Sequence, residues 1–540
     1  MKRMKLTLAG RIVVFLLIAA IVCGAGFVGY KYLAPSLIEN FGSDNLGEFS
    51  DNDGDSINAG INNNTPAPNE PADDPKQDKP ADNVINLSLD EWIGYESLVY
   101  ANGGLTTQPG SVFDRLGIKV NLHIINDAEA SSNALIKGDL DAAGYTLNRT
   151  AFLSGKFENA GVDIIMPVFT NYSNGGDGII AMSKFDSIES LVNAKIGVPK
   201  FSEAQSLVIW LVNKSDLPDA DKQKIIDNLI LMEDAEQTGQ AFFAGSLDVA
   251  ATWQPYLSYA EESTNSHILF DTTSSNKLIL SGVVFRKDFA EANPNLVTKF
   301  IEGILIAREE YEADFDTIRK VMPMFAGMTD DEIAEMRKDA GMMNYNQNVE
   351  TLKNDCPVVY ADMCAIWESI GETVDGAAAN HLFDTSYIEP LASKYQTLEQ
   401  DDTFEITEEQ KSEALDVGAM LTKTCTLTFL PDTAKFADSA EAAAILDEFI
   451  QIAKTLDGTI IQIEGNINSS NASAGGVALS EERAKAVMNY FIANGIDPNR
   501  IIIVGNGNSK MVVDPNSPDA YKNRRTDVFF KTIENRGGGL

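Results

Sequence analysis

Between about Val84 and Tyr395, short apolar runs of strand length alternate with amphipathic helical stretches, and this alternation restricts the fold more than any other feature of the chain. The strand candidates include VINLSL (84–89), VNLHII (120–125), DAAGYT (141–146), IIMPVF (164–169), GIIAMS (178–183), KIGVP (195–199), LILME (229–233) and DVAATW (248–253). Helical stretches intervene, among them Ala128 to Lys137, Ala204 to Asn213 and Pro294 to Tyr311. Such a pattern predicts an α/β class with parallel sheets and crossover helices, where ligands lie beyond the carboxyl ends of the strands. A length of 540 residues predicts more than one domain.

Charge and composition narrow the function. Lys plus Arg number 42 against 79 Asp plus Glu, a formal charge of −37 that repels phosphates and excludes nucleic acid as a partner. Three His and four Cys, widely scattered, are too few for a zinc cluster or a disulfide-dense scaffold, so no metal and no cofactor is predicted. No Gly-rich phosphate motif and no Ser-His-Asp arrangement is present, and the chain does not read as an enzyme.

The amino terminus points to a compartment. Lys2, Arg3, Lys5 and Arg11 precede an apolar run from Ile12 to about Tyr30. At about 1.5 Å per residue that run spans a hydrocarbon core of roughly 30 Å. The prediction is a short cytoplasmic segment (1–11), a single transmembrane helix (12–33) and an extracytoplasmic remainder, in line with the positive-inside rule. The alternative is a cleaved signal peptide, whose apolar region normally runs about 7 to 15 residues. Residues 34–83 read as a disordered linker: from Gly42 to about Asn83 the composition turns to Asn, Asp, Pro, Gly and Lys, which cannot offset its ordering entropy by burial. Its Asp51-Asn-Asp-Gly-Asp55 run has Ser56 and Asn62 where a calcium loop needs Gly and Glu, and reads as solvated linker. Cys356 and Cys364, eight positions apart in a segment placed outside the membrane, are predicted to form a disulfide; Cys425 reads as a buried thiol.

The order DEWIGYESL, DRLGIKVNL, ALIKGDLDAAGYT, GIIAMSKFDSIESLVNAKIGVPKFSEAQ, AFFAGSLDVAATWQPYLSYAE and FRKDFAEANPNLVTKFIEGIL resembles the extracytoplasmic solute-binding proteins of the nitrate, sulfonate, taurine and pyrimidine-precursor importers, over about 85 to 320. The resemblance implies a bilobal, type II periplasmic-binding-protein-like domain (84–400, second lobe about 180–275), with crossings near Asn174 to Ile179 and Asn276 to Val283. It also implies a small polar solute and, as partners, an ABC permease and its ATPase.

Candidate ligand contacts follow from loops at strand ends. Trp92 and Tyr95 follow the first strand and offer flat faces with polar edges; Thr146 and Asn148 follow another strand and offer hydroxyl and amide groups. Ser202 is placed to cap the helix that starts near Ala204, leaving free N–H groups toward the cleft. Family members often hold an anionic head group at this turn. Here Glu203 sits beside it and Asp177 near a crossing, so an amine-bearing or heterocyclic ligand fits better than a sulfonate or nitrate. Trp253, with Pro255 and Tyr256, is either a ligand contact or lobe core.

A second change of composition comes near Thr397: an acidic joint and helix (401–419), then an α+β unit (420–532) and a tail (533–540). Strands are predicted at Thr424 to Leu430, Thr459 to Glu464, Arg500 to Val504 and Thr526 to Lys531, with helices at Ser439 to Leu456 and Ser480 to Asn494. The words TFLPDTAKF, IQIEGNINSS, LSEERAKAVMNYFIANGI, RIIIVGNGN and NRRTDVFF resemble the OmpA-like peptidoglycan-binding domain. That resemblance implies recognition of the peptidoglycan peptide stem, with Arg483, in the first turn of its helix, as the fork that holds a stem carboxylate. The family's G-H-T-D carboxylate, which pairs with the stem ammonium, is replaced in Gly465-Asn466-Ile467-Asn468 by Asn468, which weakens the contact by about 1 kcal/mol or more. Arg524 is the second pocket candidate, and Arg525 a possible solvated strand residue. The combined expectation is a membrane-anchored receptor for an importer, tethered to the wall. The alternatives are a structural or sensory envelope protein whose lobes no longer serve transport, and an enzyme on the same fold.

Overall fold

A computed structural model describes residues 83–396, 406–470 and 473–532. The predicted cytoplasmic segment and transmembrane helix, nearly all of the linker, the joint as far as residue 405 and the tail lie outside the described residues. Among those described, no helix is long and apolar enough to cross a membrane.

In chain order the strands are β1 (Val84–Leu89), β2 (Lys119–Ile124), β3 (Ala142–Thr146), β4 (Ile164–Ser173), β5 (Asp177–Met182), β6 (Ile196–Pro199), β7 (Ile230–Met232), β8 (Val249–Trp253), β9 (Ser266–Asp271), β10 (Leu280–Arg286), β11 (Ala340–Met342), β12 (Leu421–Cys425), β13 (Ile460–Asn466), β14 (Ile501–Gly507) and β15 (Thr526–Lys531). They form three sheets, ordered β2-β1-β3-β10-β4-β11, β7-β6-β8-β5-β9 and β12-β15-β13-β14.

The first two sheets repeat one plan. β1 runs parallel to β2 and β3, while β10 is antiparallel to β3 and β4. β6 likewise runs parallel to β7 and β8, while β5 is antiparallel to β8 and β9. In each sheet the antiparallel member is the strand by which the chain has just crossed from the other. The crossings are short: 174–176 between β4 and β5, and 272–279 between β9 and β10. Two lobes are therefore joined by two adjacent passages, and the carboxyl ends of the parallel strands meet at the seam between them.

Strand composition explains the burial. β4 opens on the apolar run Ile164–Phe169 and β8 is mostly apolar, and both are buried almost throughout, as expected of strands covered on both faces by crossover helices. Helices α1 (Leu147–Ala160) and α2 (Glu203–Lys214) leave β3 and β6, and α3 (Cys356–Ser369), from the helical region after β11, packs on both. The Trp210 and Trp367 side chains are fully buried here. Trp210 Nε1 and Lys214 Nζ donate to Asp362 at 2.8 and 3.1 Å.

The predicted disulfide does not form: Cys356 and Cys364 are free, buried thiols, as is Cys425. Both members of the expected pair lie on α3. Eight residues at about 1.5 Å per residue separate them by roughly 12 Å along the axis, beyond the roughly 7 Å that a disulfide tolerates.

The third sheet carries helices α4 (Ser439–Thr455) and α5 (Ala474–Ala493). Two boundaries differ most from the sequence reading. The first strand is Leu421–Cys425 and not Thr424 to Leu430, because the alternating Leu421, Lys423 and Cys425 pair with β15, while the following residues leave the sheet and close on themselves through a Phe429–Phe436 bridge. The second helix begins six residues early, at Ala474, because Ser473 caps it by accepting from Gly476 N at 3.0 Å. Gly465 lets α5 lie against β13, since a Cβ there would come 2.0 Å from Ser480 O.

This terminal unit docks on the second lobe and on the second crossing. Thr422 N donates to Glu189 Oε1 at 3.2 Å, and Lys423 Nζ lies 3.4 Å from Asp216. At the crossing, Gly458 N donates to Ser274 O (3.1 Å), Ser275 Oγ to Thr455 O (2.5 Å) and Asn276 N to Asp457 Oδ1 (3.1 Å).

Candidate functional site

The seam between the lobes is where strand ends and helix starts converge. β3 ends in Thr146, whose hydroxyl accepts from Arg149 N at 3.0 Å and so caps α1. Across the seam, β6 turns through Phe201, at φ 54°, into Ser202, which caps α2 by accepting from Gln205 N. A positive φ is uncommon for a bulky residue. Here Phe201 N donates to Gln205 Oε1 at 2.6 Å, and its ring stacks on Phe152 of the first lobe at 5.0 Å between centroids.

That turn aims Glu203 across the seam. Its Oε1 accepts from Thr146 Oγ1 at 2.7 Å, and its Oε2 lies 3.3 Å from the Arg149 guanidinium. Beside them Asn148 Nδ2 donates to Ser206 Oγ at 2.9 Å, while Asn148 Oδ1, fully enclosed, has no partner. The lobes thus meet at the seam, beside a small, partly open pocket of about 40 Å³ lined by Ser88, Asp90, Tyr145, Thr146 and Arg149 of the first lobe and Glu203 of the second, among others. A larger groove of about 280 Å³ is lined by first-lobe residues alone, such as Glu96, Tyr100 and Tyr311. No residue that ends a parallel strand lines it, whereas Leu89 and Thr146, which end β1 and β3, line the smaller pocket.

Carboxylates dominate the electrostatics. Asp90 is open to the cleft but ringed by protein, and burial, then the charge of Glu203, push its pKa up to about 6. Asp177 is pushed up to about 7, first by burial, against the hydrogen bond from Ser173 Oγ at 2.7 Å, and then by Glu203. Burial also penalises a charged Glu203, but Arg149 and Thr146 outweigh it and hold its pKa below the usual value. Asp339, next to the first crossing, is raised to about 7 by burial and by Asp177.

Thr146 and Glu203 thus meet directly, and Ser202 supports them as a cap. Trp92 stands half-buried beside the first crossing, its Nε1 donating to Asn171 Oδ1 at 2.9 Å. Tyr95 is buried beneath β3 against Gly144 and offers no open face. Asp177 opens β5 opposite Trp253 in the ladder, and Trp253 is 43% exposed. Sequence reasoning missed Asp90 and Arg149. A carboxylate directly after the first strand was a usable signal; the Arg149 partnership, 54 positions from Glu203, left none.

In the terminal unit, Arg483 lies mid-helix, not in a first turn, because α5 starts at Ala474; helix-terminal N–H donors are not beside it. Its Nε donates to Thr433 O at 3.1 Å and its guanidinium covers the Phe429 ring at 4.8 Å. Burial, then repulsion from nearby Arg524, lower its pKa. Asn468 is engaged internally: Nδ2 donates to Pro515 O (3.2 Å), and Oδ1 accepts from Asn523 Nδ2 (3.0 Å). Arg525 pairs with Asp527 at 3.0 Å. Among the described residues, no group of His, Cys, Asp and Glu is arranged to hold a metal ion.

Residues 428–525 match the model of the OmpA family. Over 89 residues the chain is 34% identical to outer membrane protein A of Bordetella avium and 30% identical to the peptidoglycan-associated lipoprotein of Pseudomonas putida. Each alignment covers 16% of this chain; the chain spans about half the length of these curated relatives, 46% and 53%. Upstream, the periplasmic aliphatic sulphonate binding protein SsuA of Escherichia coli is 16% identical, with a TM-score of 0.42, covering 56% of this chain and 98% of its own. The alkanesulfonate-binding SsuA of Xanthomonas axonopodis pv. citri, bound to MOPS, is 16% identical at 0.39, covering 57% and 96%. With the repeated two-lobe topology on one side and the family match on the other, the chain joins a two-lobed α/β unit to a carboxyl-terminal OmpA domain.

Proposed function

We propose that this protein is an extracytoplasmic receptor for a small polar solute, held at the membrane by residues 12–33 and at peptidoglycan by its OmpA domain, and that it serves an importer of the ABC type. The carrying observation is the seam, where Asp90, Thr146 and Arg149 of one lobe face Glu203 of the other around a small pocket. A solute that touches both lobes binds only the shut state and shifts the population toward it. Arg483 and Arg524, two neighbouring guanidiniums, are the seat for a stem carboxylate. Asn468, tied to Asn523 and Pro515, contributes shape and not charge.

Two experiments test this. Isothermal titration of the full-length chain against amines, amino acids, pyrimidines and sulfonates should give saturable heat with at least one class; no heat with any defeats the receptor reading. Retention on purified peptidoglycan should fall roughly tenfold in Arg483→Ala, the loss of a charged hydrogen-bonded contact. Equal retention would remove Arg483 from the wall site. One observation favours the sensory alternative: the lobes are latched by their own side chains.

A further inference from the structure

The residues lining the seam cavity include one cation, Arg149, and two carboxylates, Asp90 and Glu203. The cation is already engaged. Glu203 leaves the first turn of α2, crosses to the opposite lobe and meets both Thr146 Oγ1 (2.7 Å) and the Arg149 guanidinium (3.3 Å). Its side chain is only 15% exposed in this position. An anionic solute seeking the same guanidinium would have to expel Glu203, and the freed carboxylate would then share a small cavity with Asp90.

Asp90 is in the opposite situation. It directly follows β1, lines the pocket and forms no ion pair among the described residues. Around it are groups able to accept hydrogen bonds: the hydroxyls of Ser88, Ser131 and Tyr145 and the Asn126 side chain. Ser131 and Tyr145 already share one hydrogen bond of 2.7 Å, which leaves lone pairs on both oxygens. An ammonium group carries three donors and a positive charge, and matches this surface. The pocket of about 40 Å³ has room for such a head group, since one water needs roughly 10 to 15 Å³.

Resting on the receptor reading above, we propose that Glu203 is a tethered anion that occupies the cleft's cationic seat and latches the lobes, so that the cleft selects a small organic ammonium bound at Asp90 and rejects anions. Glu203 is then the residue that sets the sign of the solute.

The test is calorimetric titration of the full-length chain, wild type beside Glu203→Ser, Glu203→Gln and Asp90→Asn, each checked by circular dichroism for a native spectrum. The probes are methylammonium, ethanolamine and trimethylammonium on one side, and methanesulfonate, acetate and nitrate on the other. Wild type should bind at least one ammonium and no anion, and Asp90→Asn should bind that ammonium at least tenfold more weakly. Glu203→Ser should gain methanesulfonate binding by at least tenfold, through the released Arg149 and Thr146, and Glu203→Gln should gain it partially. Wild type binding an anion as well as Glu203→Ser does, or a folded Glu203→Ser that gains no anion, overturns the proposal and leaves the receptor reading standing. Silence of wild type and all variants toward both probe sets and toward the wider solute panel overturns both.

Discussion

Substituting Asp177 by Asn should stabilise the protein by an amount that grows as pH rises from about 4 to 7 and is complete above that window. Asp177 opens β5 at the first crossing, accepts a hydrogen bond from Ser173 Oγ at 2.7 Å, and sits close enough to Asp339 to help raise its pKa. Burial is the main reason that its own pKa rises from 3.8 to about 7. A carboxyl with a raised native pKa holds a proton in the folded state that the unfolded chain has released. Stability therefore falls as pH rises from about 4 to 7, and the cost of the buried charge is complete above that window. Roughly three pKa units at about 1.4 kcal/mol each put the full cost near 4 kcal/mol; discounting by half for partial solvent contact leaves about 2 kcal/mol. Asn keeps an oxygen for Ser173 and cannot ionise. Thermal unfolding followed by circular dichroism should show the variant about 4 °C above wild type at pH 8, at about 2 °C per kcal/mol for a long chain, and nearly level with it at pH 4. An equal gain at both values, or a loss at pH 8, would refute the claim that buried charge is what Asp177 costs.

Two further outcomes follow from buried groups. Arg500, 5% exposed, donates to the carbonyls of Ala453 (3.0 Å), Leu456 (2.6 Å) and Thr459 (2.9 Å) at the end of α4. Arg500→Met leaves those acceptors buried and should cost the OmpA domain about 3 to 5 kcal/mol, read as faster hydrogen exchange in β13 and β14 with β1 to β4 unchanged. Cys356 and Cys364 should stay unlabelled by a thiol reagent until the chain is denatured, and dithiothreitol should not move the unfolding transition. Burial raises both thiols, Cys364 to about 11.

The reading of the strands from sequence was close where a strand is a short, largely buried run bounded by turn residues. VINLSL and the last strand of the OmpA domain coincide with their predicted ranges. Failures cluster where a partner distant in sequence decides the outcome. β11 is three residues, Ala-Gly-Met, and exists only because β4 offers a free edge. The start of α5 was hidden by Gly475 and Gly476, which look like loop until Ser473 is seen to cap them into a helix. Tyr95 follows a strand, as a ligand contact would, yet a short helical turn folds its ring under β3. In the cleft, Thr146, Ser202 and Glu203 were legible as strand-end and helix-start residues. The Glu203–Arg149 pair, formed only when two lobes meet, was not.

The docking of the OmpA domain has a kinematic consequence. Its loop from Thr455 to Gly458 grips Ser274 to Asn276, and its first strand grips Glu189 and Asp216 of the second lobe. These bonds tie the second lobe, the crossing and the OmpA domain into one frame, so on the receptor reading a hinge motion would fall to the first lobe. Were the carboxyl end made fast to an external scaffold, the rim that carries Glu203 would be held still, and any opening of the cleft would be a movement of the rim that carries Asp90 and Arg149.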